Sequence, residues 1–345
     1  MSDTDDGQRR NLRCASVQFE PHPADKAYNL TRVRAFVDAA LSQGIQLVSF
    51  PEMCTVGYWH LRNLSESRLR ALAEPVDGPT VGAVRKWAVE DGIGIGVGFL
   101  EAGDDGRMFN SYALCLPDGT VHRHRKLHSF EHEAIASGDS FTVFDTGWGV
   151  RMAILICYDN NLIENVRAVA LAGAEVLIAP HQTGGTNSRS PYGMKPIPMA
   201  LWENRIAAPQ PVRDAFQGPN GREWLMRWLP SRAHDNGLFL VFSNGVGRDD
   251  DEVRTGNAMI LDPYGRIVAE STAIDDDMVS ADLDLGLLPM STGRRWIQGR
   301  RPELYGALTQ RTGRERDART ARFSEEPIPR IVPVPVNGAR PDGRT

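Results

Sequence analysis

Apolar residues along the 345-residue chain fall into short blocks, and the spacing inside each block predicts its element. LRCASVQF (12–19) reads as a strand. Near 29–43, Leu30, Val33, Val37, Ala40 and Leu41 recur at helical spacing, and Gly44 sits where a C-terminal cap belongs. IQLVSF (45–50) is a short apolar run of the kind a buried strand requires, and Pro79 stands near the start of a second helix, roughly 79–91. GIGIGVGF (92–99) predicts a third strand; NSYALCLPDGTV (110–121) holds a fourth, with PDG as its turn. Residues 150–157, 175–180, 237–244, 257–262 and 266–271 read as further strands, and 161–173 as a helix.

Strands alternate with helices in the first half, and hairpins follow at 93–121 and 257–271. That order predicts an α/β fold on a mixed sheet rather than a purely parallel one. Two regions escape the pattern. Residues 184–223 are rich in Gly, Pro and Arg and read as an insertion-like loop holding Tyr192, Trp202, Arg189, Arg205 and Arg213. Residues 311–345 join an Arg-rich run to EEPIPRIVPVPV, too polar and Pro-rich for a core. The expected organisation is therefore a disordered 1–10, one domain over 11–310, and a C-terminal tail over 311–345 suited to wrapping a neighbouring subunit.

Composition removes several classes of function. With 41% hydrophobic and 24% charged residues the chain reads as a soluble globular protein, and a net charge of −5 gives no general basic footprint for nucleic acid. No run of 18 apolar residues suggests a membrane span, and the polar, acidic MSDTDDGQRR argues against a secretory leader. Cys14, Cys54, Cys115 and Cys157 lack both knuckle spacing and the density of a disulfide scaffold, so a reduced, cytoplasmic setting is expected.

VRMAILICYDNNLIENVR (150–167) reads as an apolar strand that ends on Cys157, with Tyr158 and Asp159 directly behind it. A cysteine there is either a small core residue or a nucleophile held at a strand tip. The glycines of GIGIGVG alternate inside a strand and precede a turn, so they fit close approach of another element better than a phosphate loop. HRHRKLHSFEHE (122–133) holds four of the eight histidines, but its first two are interleaved with arginines that repel a metal cation. Glu52 follows a strand in FPEMCTVGY, and Lys126 lies in HRKLH. Singly, these residues read as a salt bridge and a core cysteine. Together they are three strand-end groups able to converge on one sheet rim, and a carboxylate there is costly unless paired or working.

These segments resemble the nitrilase superfamily of carbon–nitrogen hydrolases. FPEMCTVGY resembles its glutamate motif, FNSYALCLPDGTVHRHRKLH its lysine motif, and ICYDNNLIENVRAVALAGAEVLIAP its cysteine motif. LPSRAHDNGLFLVFSNGVG, NAMILDPYGRIVAES and RRPELYGALT resemble later segments, so the likeness spans about residues 10–310. NNLIE after the cysteine and Asp235 in SRAHDN depart from the usual pattern.

The resemblance implies a four-layer α-β-β-α sandwich with catalytic Glu52, Lys126 and Cys157 and no cofactor. It implies a second glutamate at Glu131, with Glu133 as the competing choice. The oxyanion donors implied are the Lys126 ammonium and the Tyr158 backbone N–H. Tyr58 and Trp59, which follow Glu52 closely, and His181 are candidates for substrate contact. Tyr-Asp after the cysteine resembles amidase and carbamoylase branches, so a small amide or N-carbamoyl compound is the expected substrate, ahead of a nitrile or an acyl transfer through the same thioester. A homodimer or larger homo-oligomer is the expected assembly.

Overall fold

A computed structural model describes residues 11–324 together with 326 and 327. The expected disorder of residues 1–10 and the tail beyond 327 lie outside the described residues.

The first half opens with strand β1 (Asn11–Phe19), helix α1 (Lys26–Ser42), β2 (Leu47–Ser49), α2 (Glu66–Leu72) and α3 (Pro79–Asp91). A meander follows: β3 (Gly94–Ala102), β4 (Met108–Cys115) and β5 (Val121–Arg125), then the short β6 (Ile135–Ala136), β7 (Thr142–Asp145) and β8 (Arg151–Ile154). Beyond these come α4 (Ile163–Leu171), β9 (Val176–His181), and four short helices, α5 (Met199–Glu203), α6 (Pro209–Gln217), α7 (Arg222–Met226) and α8 (Leu229–His234). β10 (Phe239–Asp249), β11 (Glu252–Thr255), β12 (Met259–Leu261), β13 (Ile267–Glu270), β14 (Asp277–Asp284), α9 (Thr292–Gln298) and α10 (Ala318–Phe323) complete the order.

The strands follow the path β5-β4-β3-β2-β1-β10-β9-β8-β7, parallel through the centre from β3 to β8 and antiparallel at both flanks. The two halves meet at β1 and β10, where Gln18 pairs with Asn244. Side chains alternate across each half, as the two-residue period of a strand requires. Leu12, Cys14, Leu47 and Leu114 face Met152, Ile154, Ile178 and Val241 between the halves. The opposite face, with Ala15, Val17, Val48 and Ile95, packs on Val33 and Val37 of α1 and Val81 and Val84 of α3. Leu177, Leu240 and Phe242 pack on Val166 and Val169 of α4 and Leu229 of α8. Helices, half-sheet, half-sheet and helices are thus stacked as the four layers that the resemblance implied.

Three details differ from the sequence expectation. The strand after Val150 stops at Ile154, so Cys157 lies beyond the tip and opens a tight turn over Cys157–Asn161. β14, with the polar sequence DMVSADLD, carries no apolar signal, yet it pairs antiparallel along β1 from Asn11↔Asp284 to Gln18↔Asp277. Residues 184–223 hold α5 and α6 and the start of α7 rather than an unstructured loop.

The glycines of GIGIGVG do admit neighbours. A Cβ on Gly94 would meet Trp148, one on Gly96 the Tyr112 hydroxyl at 2.6 Å, and one on Gly98 the Met53 backbone nitrogen at 2.2 Å. Gly98 therefore sets how closely the chain carrying Glu52 lies against β3. Gly98→Ala is expected to destabilise the protein by about 3 kcal/mol or more, because the clash is with backbone that cannot rotate away. Its denaturant midpoint against wild type measures this; an unchanged midpoint removes the argument.

Candidate active site

Three turns, which follow β2, β5 and β8, bring their side chains together. Glu52 lies three residues past β2, in a turn where Met53 takes φ +50°. That turn is pinned to β3 by Phe50 N–H donating to Gly96 O at 2.9 Å and Thr55 N–H to Gly98 O at 3.1 Å. Lys126 directly follows β5, and its N–H donates to Asn110 O on β4 at 2.8 Å. Cys157 takes φ +48°, a left-handed conformation costing a β-carbon residue about 1–3 kcal/mol.

The turn after Cys157 is tied down atom by atom. Asn160 Nδ2 donates to Leu155 O at 2.8 Å, and Arg232 donates to the carbonyls of Asn160 and Asn161 at 2.7 and 2.8 Å. Buried Asp159 accepts from the N–H groups of Ile156, His128 and Leu127 at 3.1, 3.0 and 3.2 Å, and lies 3.3 Å from His124 Nε2. One carboxylate thereby holds the lysine loop against the cysteine turn. This also accounts for His124, while His122 stacks on Phe144 and His132 Nε2 meets Leu64 O at 3.1 Å. Among the described residues, no three His, Cys, Asp or Glu side chains gather as metal ligands would.

Inside this frame Lys126 Nζ donates to Glu52 Oε1 at 2.7 Å and to Glu131 Oε1. Asn110 Nδ2 donates to the same two carboxylates, at 2.7 and 2.9 Å. All four side chains are shielded from solvent. Glu133, the competing choice for the second glutamate, is exposed. Glu52 Oε2 is buried without a hydrogen bond, and the Glu52 carboxyl adjoins the Cys157 thiol, as does the Gln182 N–H.

Burial and mutual charge set the protonation states. Burial lifts the Glu52 carboxyl to about 7; Lys126 opposes the rise and Glu131 adds to it. Burial alone would lower the Lys126 ammonium, but Glu131 and then Glu52 outweigh it and hold it well above the ordinary lysine value. The Cys157 thiol is pushed up by burial and by the Glu52 charge, so its proton stays on sulfur at rest.

A cavity of about 490 Å³ opens beside Cys157, walled by Tyr58, Trp59, Phe130, Tyr158 and Trp228. Lys126 Nζ lies 4.5 Å from the Phe130 ring centroid and 5.5 Å from that of Tyr58. His181, expected to touch substrate, does not line the cavity. It is buried behind the turn, with Nε2 3.2 Å from Asn160 Nδ2 and its ring 4.6 Å from Phe242. Of the arginines singled out at 184–223, Arg205 stacks on Trp202 at 3.8 Å, and none of the three lines the cavity.

Sequence reasoning missed Asn110, Asp159 and Gln182 as parts of this arrangement. Asn110 carried a signal, a polar amide in an otherwise apolar strand, which is costly unless it is bonded. Nothing in the sequence indicated that the Asp159 carboxylate would reach residues 127 and 128.

The carbon–nitrogen hydrolase family profile matches residues 13–210 and 212–289. An (R)-stereoselective amidase of Pseudomonas sp is 31% identical over 87% of this chain and 95% of its own. The omega-amidase of Homo sapiens is 27% identical over 80% of this chain and 89% of its own. N-carbamoylputrescine amidase of Arabidopsis thaliana is 26% identical over 89% and 98%. Among solved structures, a mutant amidase from Nesterenkonia sp. AN1, with the acetamide moiety of fluoroacetamide joined to its active site cysteine, has the same fold. It has a TM-score of 0.64 and 21% identity, covering 88% of this chain and 98% of its own.

Proposed function

The chain belongs to the carbon–nitrogen hydrolase family, and from that premise we propose that Glu52, Lys126 and Cys157 carry out its hydrolysis of an amide or N-carbamoyl bond. The observation that carries the reading is the convergence of a buried thiol, a carboxyl near neutrality and a fixed ammonium beside one cavity.

Cys157 Sγ attacks the substrate carbonyl carbon as its proton passes to Glu52. A carboxyl at about 7 is matched to this task, able to accept the proton and to return it. The carbonyl oxygen becomes an oxyanion, stabilised by the Lys126 ammonium and by the Tyr158 N–H in the first turn after the cysteine, where N–H groups lack a partner within the turn. Each donor contributes about 3 kcal/mol. Glu52 protonates the departing nitrogen, the C–N bond breaks, and ammonia or an amine leaves a thioester on Cys157. Water, deprotonated by Glu52, then attacks the thioester and releases the acid. Glu131 and Asn110 position the ammonium and the base without touching substrate.

The amide and N-carbamoyl classes are favoured by the amidase relatives and by Tyr158-Asp159 after the cysteine. Four free, buried cysteines fit a reducing, cytoplasmic setting, and among the described residues no helix is long and apolar enough to cross a membrane. Exposed Met290, Trp296, Leu304 and Leu308 favour a homo-oligomer.

Ammonia release across a panel of amides, ureido acids and nitriles tests the reaction. Amides or ureido acids are expected to react, and Cys157→Ala and Cys157→Ser to lose at least about a thousandfold in turnover while keeping the wild-type circular dichroism. Near-normal turnover by Cys157→Ala would exclude the mechanism.

The base must be ionised to act, so kcat/KM is expected to rise with pH through an inflection near the Glu52 value of about 7. Asn110 favours the Glu52 carboxylate by hydrogen bonding, so Asn110→Ala should move that inflection upward; a downward shift contradicts the assignment. Sedimentation equilibrium of the full chain is expected to give at least twice the chain mass, and a monomer would refute the assembly.

A further inference from the structure

Among the described residues, the charged side chains lining the cavity are Arg227, Arg232, Arg254 and Arg322, and no carboxylate joins them. Three of the four are committed. Arg254 is paired with Asp249 and Glu252, each at 2.8 Å. Arg232 holds the carbonyls of the cysteine turn. Arg227 donates to Tyr192 O at 2.8 Å.

Arg322 differs. It is half-buried, and among the described residues its guanidinium has no hydrogen bond or ion pair. Glu252, the carboxylate acting on it most strongly, already serves Arg254 and accepts from Thr186 Oγ1 at 2.7 Å. The contacts of Arg322 are aromatic: its Cζ lies 6.0 Å from the Phe130 centroid and 5.8 Å from that of Phe323. A guanidinium withdrawn from water without an anion is costly, so its position marks a place where an anion is favoured.

The helix that carries it is docked on the site. Ala318 is buried in one cluster with Met53, Val56, Tyr58 and Trp59, and Phe323 stacks on Trp59 with centroids 6.3 Å apart. Arg319 Nη1 donates to Phe130 O at 3.0 Å, and Asp317 caps the helix by accepting from Thr320 N–H at 2.9 Å. The segment expected to reach over a neighbour thus begins by completing the wall of its own cavity.

We propose that Arg322 is a specificity-determining residue that pairs with a substrate carboxylate, so that the substrate is a monoanionic acid amide or ureido acid. The proposal rests on the hydrolase reading above and names its substrate class. Phe130 supplies the scale. Lys126 Nζ is 4.5 Å from its centroid and Arg322 Cζ is 6.0 Å, so the two cations are no farther apart than those distances laid end to end. A short chain with its reacting carbonyl beside Lys126 spans that gap and presents its carboxylate to the planar fork of the guanidinium. The aromatic rings beside both cations limit access of water and so strengthen the pairing.

The test compares matched pairs: the monoamide of glutaric acid with its methyl ester, and N-carbamoyl-β-alanine with its methyl ester. Wild type is expected to prefer the acid in at least one pair. Arg322→Ala should lower the acid-to-ester ratio of kcat/KM ten- to a hundredfold, chiefly through KM, and Arg322→Lys should restore part of it. In a Cys157→Ala background, calorimetry should show the same loss in binding of the glutaric monoamide. A ratio that Arg322→Ala leaves unchanged, or a wild-type preference for the esters, overturns the role of Arg322 and leaves the hydrolase reading standing. Failure to release ammonia from any member of the pairs or of the wider amide panel overturns both.

Discussion

The site is built around one buried cation shared by two carboxylates. Lys126 bridges Glu52 and Glu131, and Asn110 bridges the same pair. Removing these charges from water costs several kcal/mol per ion, recovered only where the geometry satisfies each group. The cluster is therefore a weak source of stability and a strong constraint on position. A small displacement of one turn would strand a charge in the interior. The same shared arrangement leaves Glu52 near 7 while Lys126 stays protonated, two roles set by environment rather than by residue type.

The two turns that deliver Glu52 and Cys157 are both strained. Met53 and Cys157 both hold left-handed backbone without being glycine. Each is over-determined by its surroundings: the first by the space Gly98 leaves and by hydrogen bonds to β3, the second by Asp159, Asn160 and Arg232. Asp159 ties the cysteine turn to the loop after Lys126 and so couples two elements that are separate in sequence. The candidate site is held mainly by bonds between turns, while the sheet supplies the rigid frame from which the turns project.

The core and the cavity have different origins. The apolar clusters come from the regular strands and helices. Part of the cavity wall comes from elements outside that framework: the segment around Met194, helix α7 and the C-terminal helix α10. Chemistry fixed by the frame and recognition supplied by added elements is a division that lets the substrate change without disturbing the reacting groups. Arg322 belongs to the second set, and so does Phe323, while Phe130 lies in the loop that carries Glu131.

Much of the frame was legible in the sequence. Period-two apolar strands and the 3.6-residue repeats of α1 and α3 announce an α/β sheet, because burial of one face dictates residue type. The order of the glutamate, lysine and cysteine motifs singled out the side chains that we propose react, since that chemistry admits few substitutes. What the sequence could not supply was contact between distant polar groups. β14 is polar and was invisible until its register along β1 was seen. Asp159, Gln182 and Arg322 work through partners far away in the chain, His181 turned out to stand behind the cysteine turn, and Cys157 sits beyond its strand rather than at the tip. Local propensity and hydrophobic pattern are properties of neighbouring residues, so the sequence alone determined the elements, and its motifs pointed to the groups proposed to react. Burial, charge sharing and the shape of the cavity arise only when separate segments meet, so those were decided by the tertiary structure.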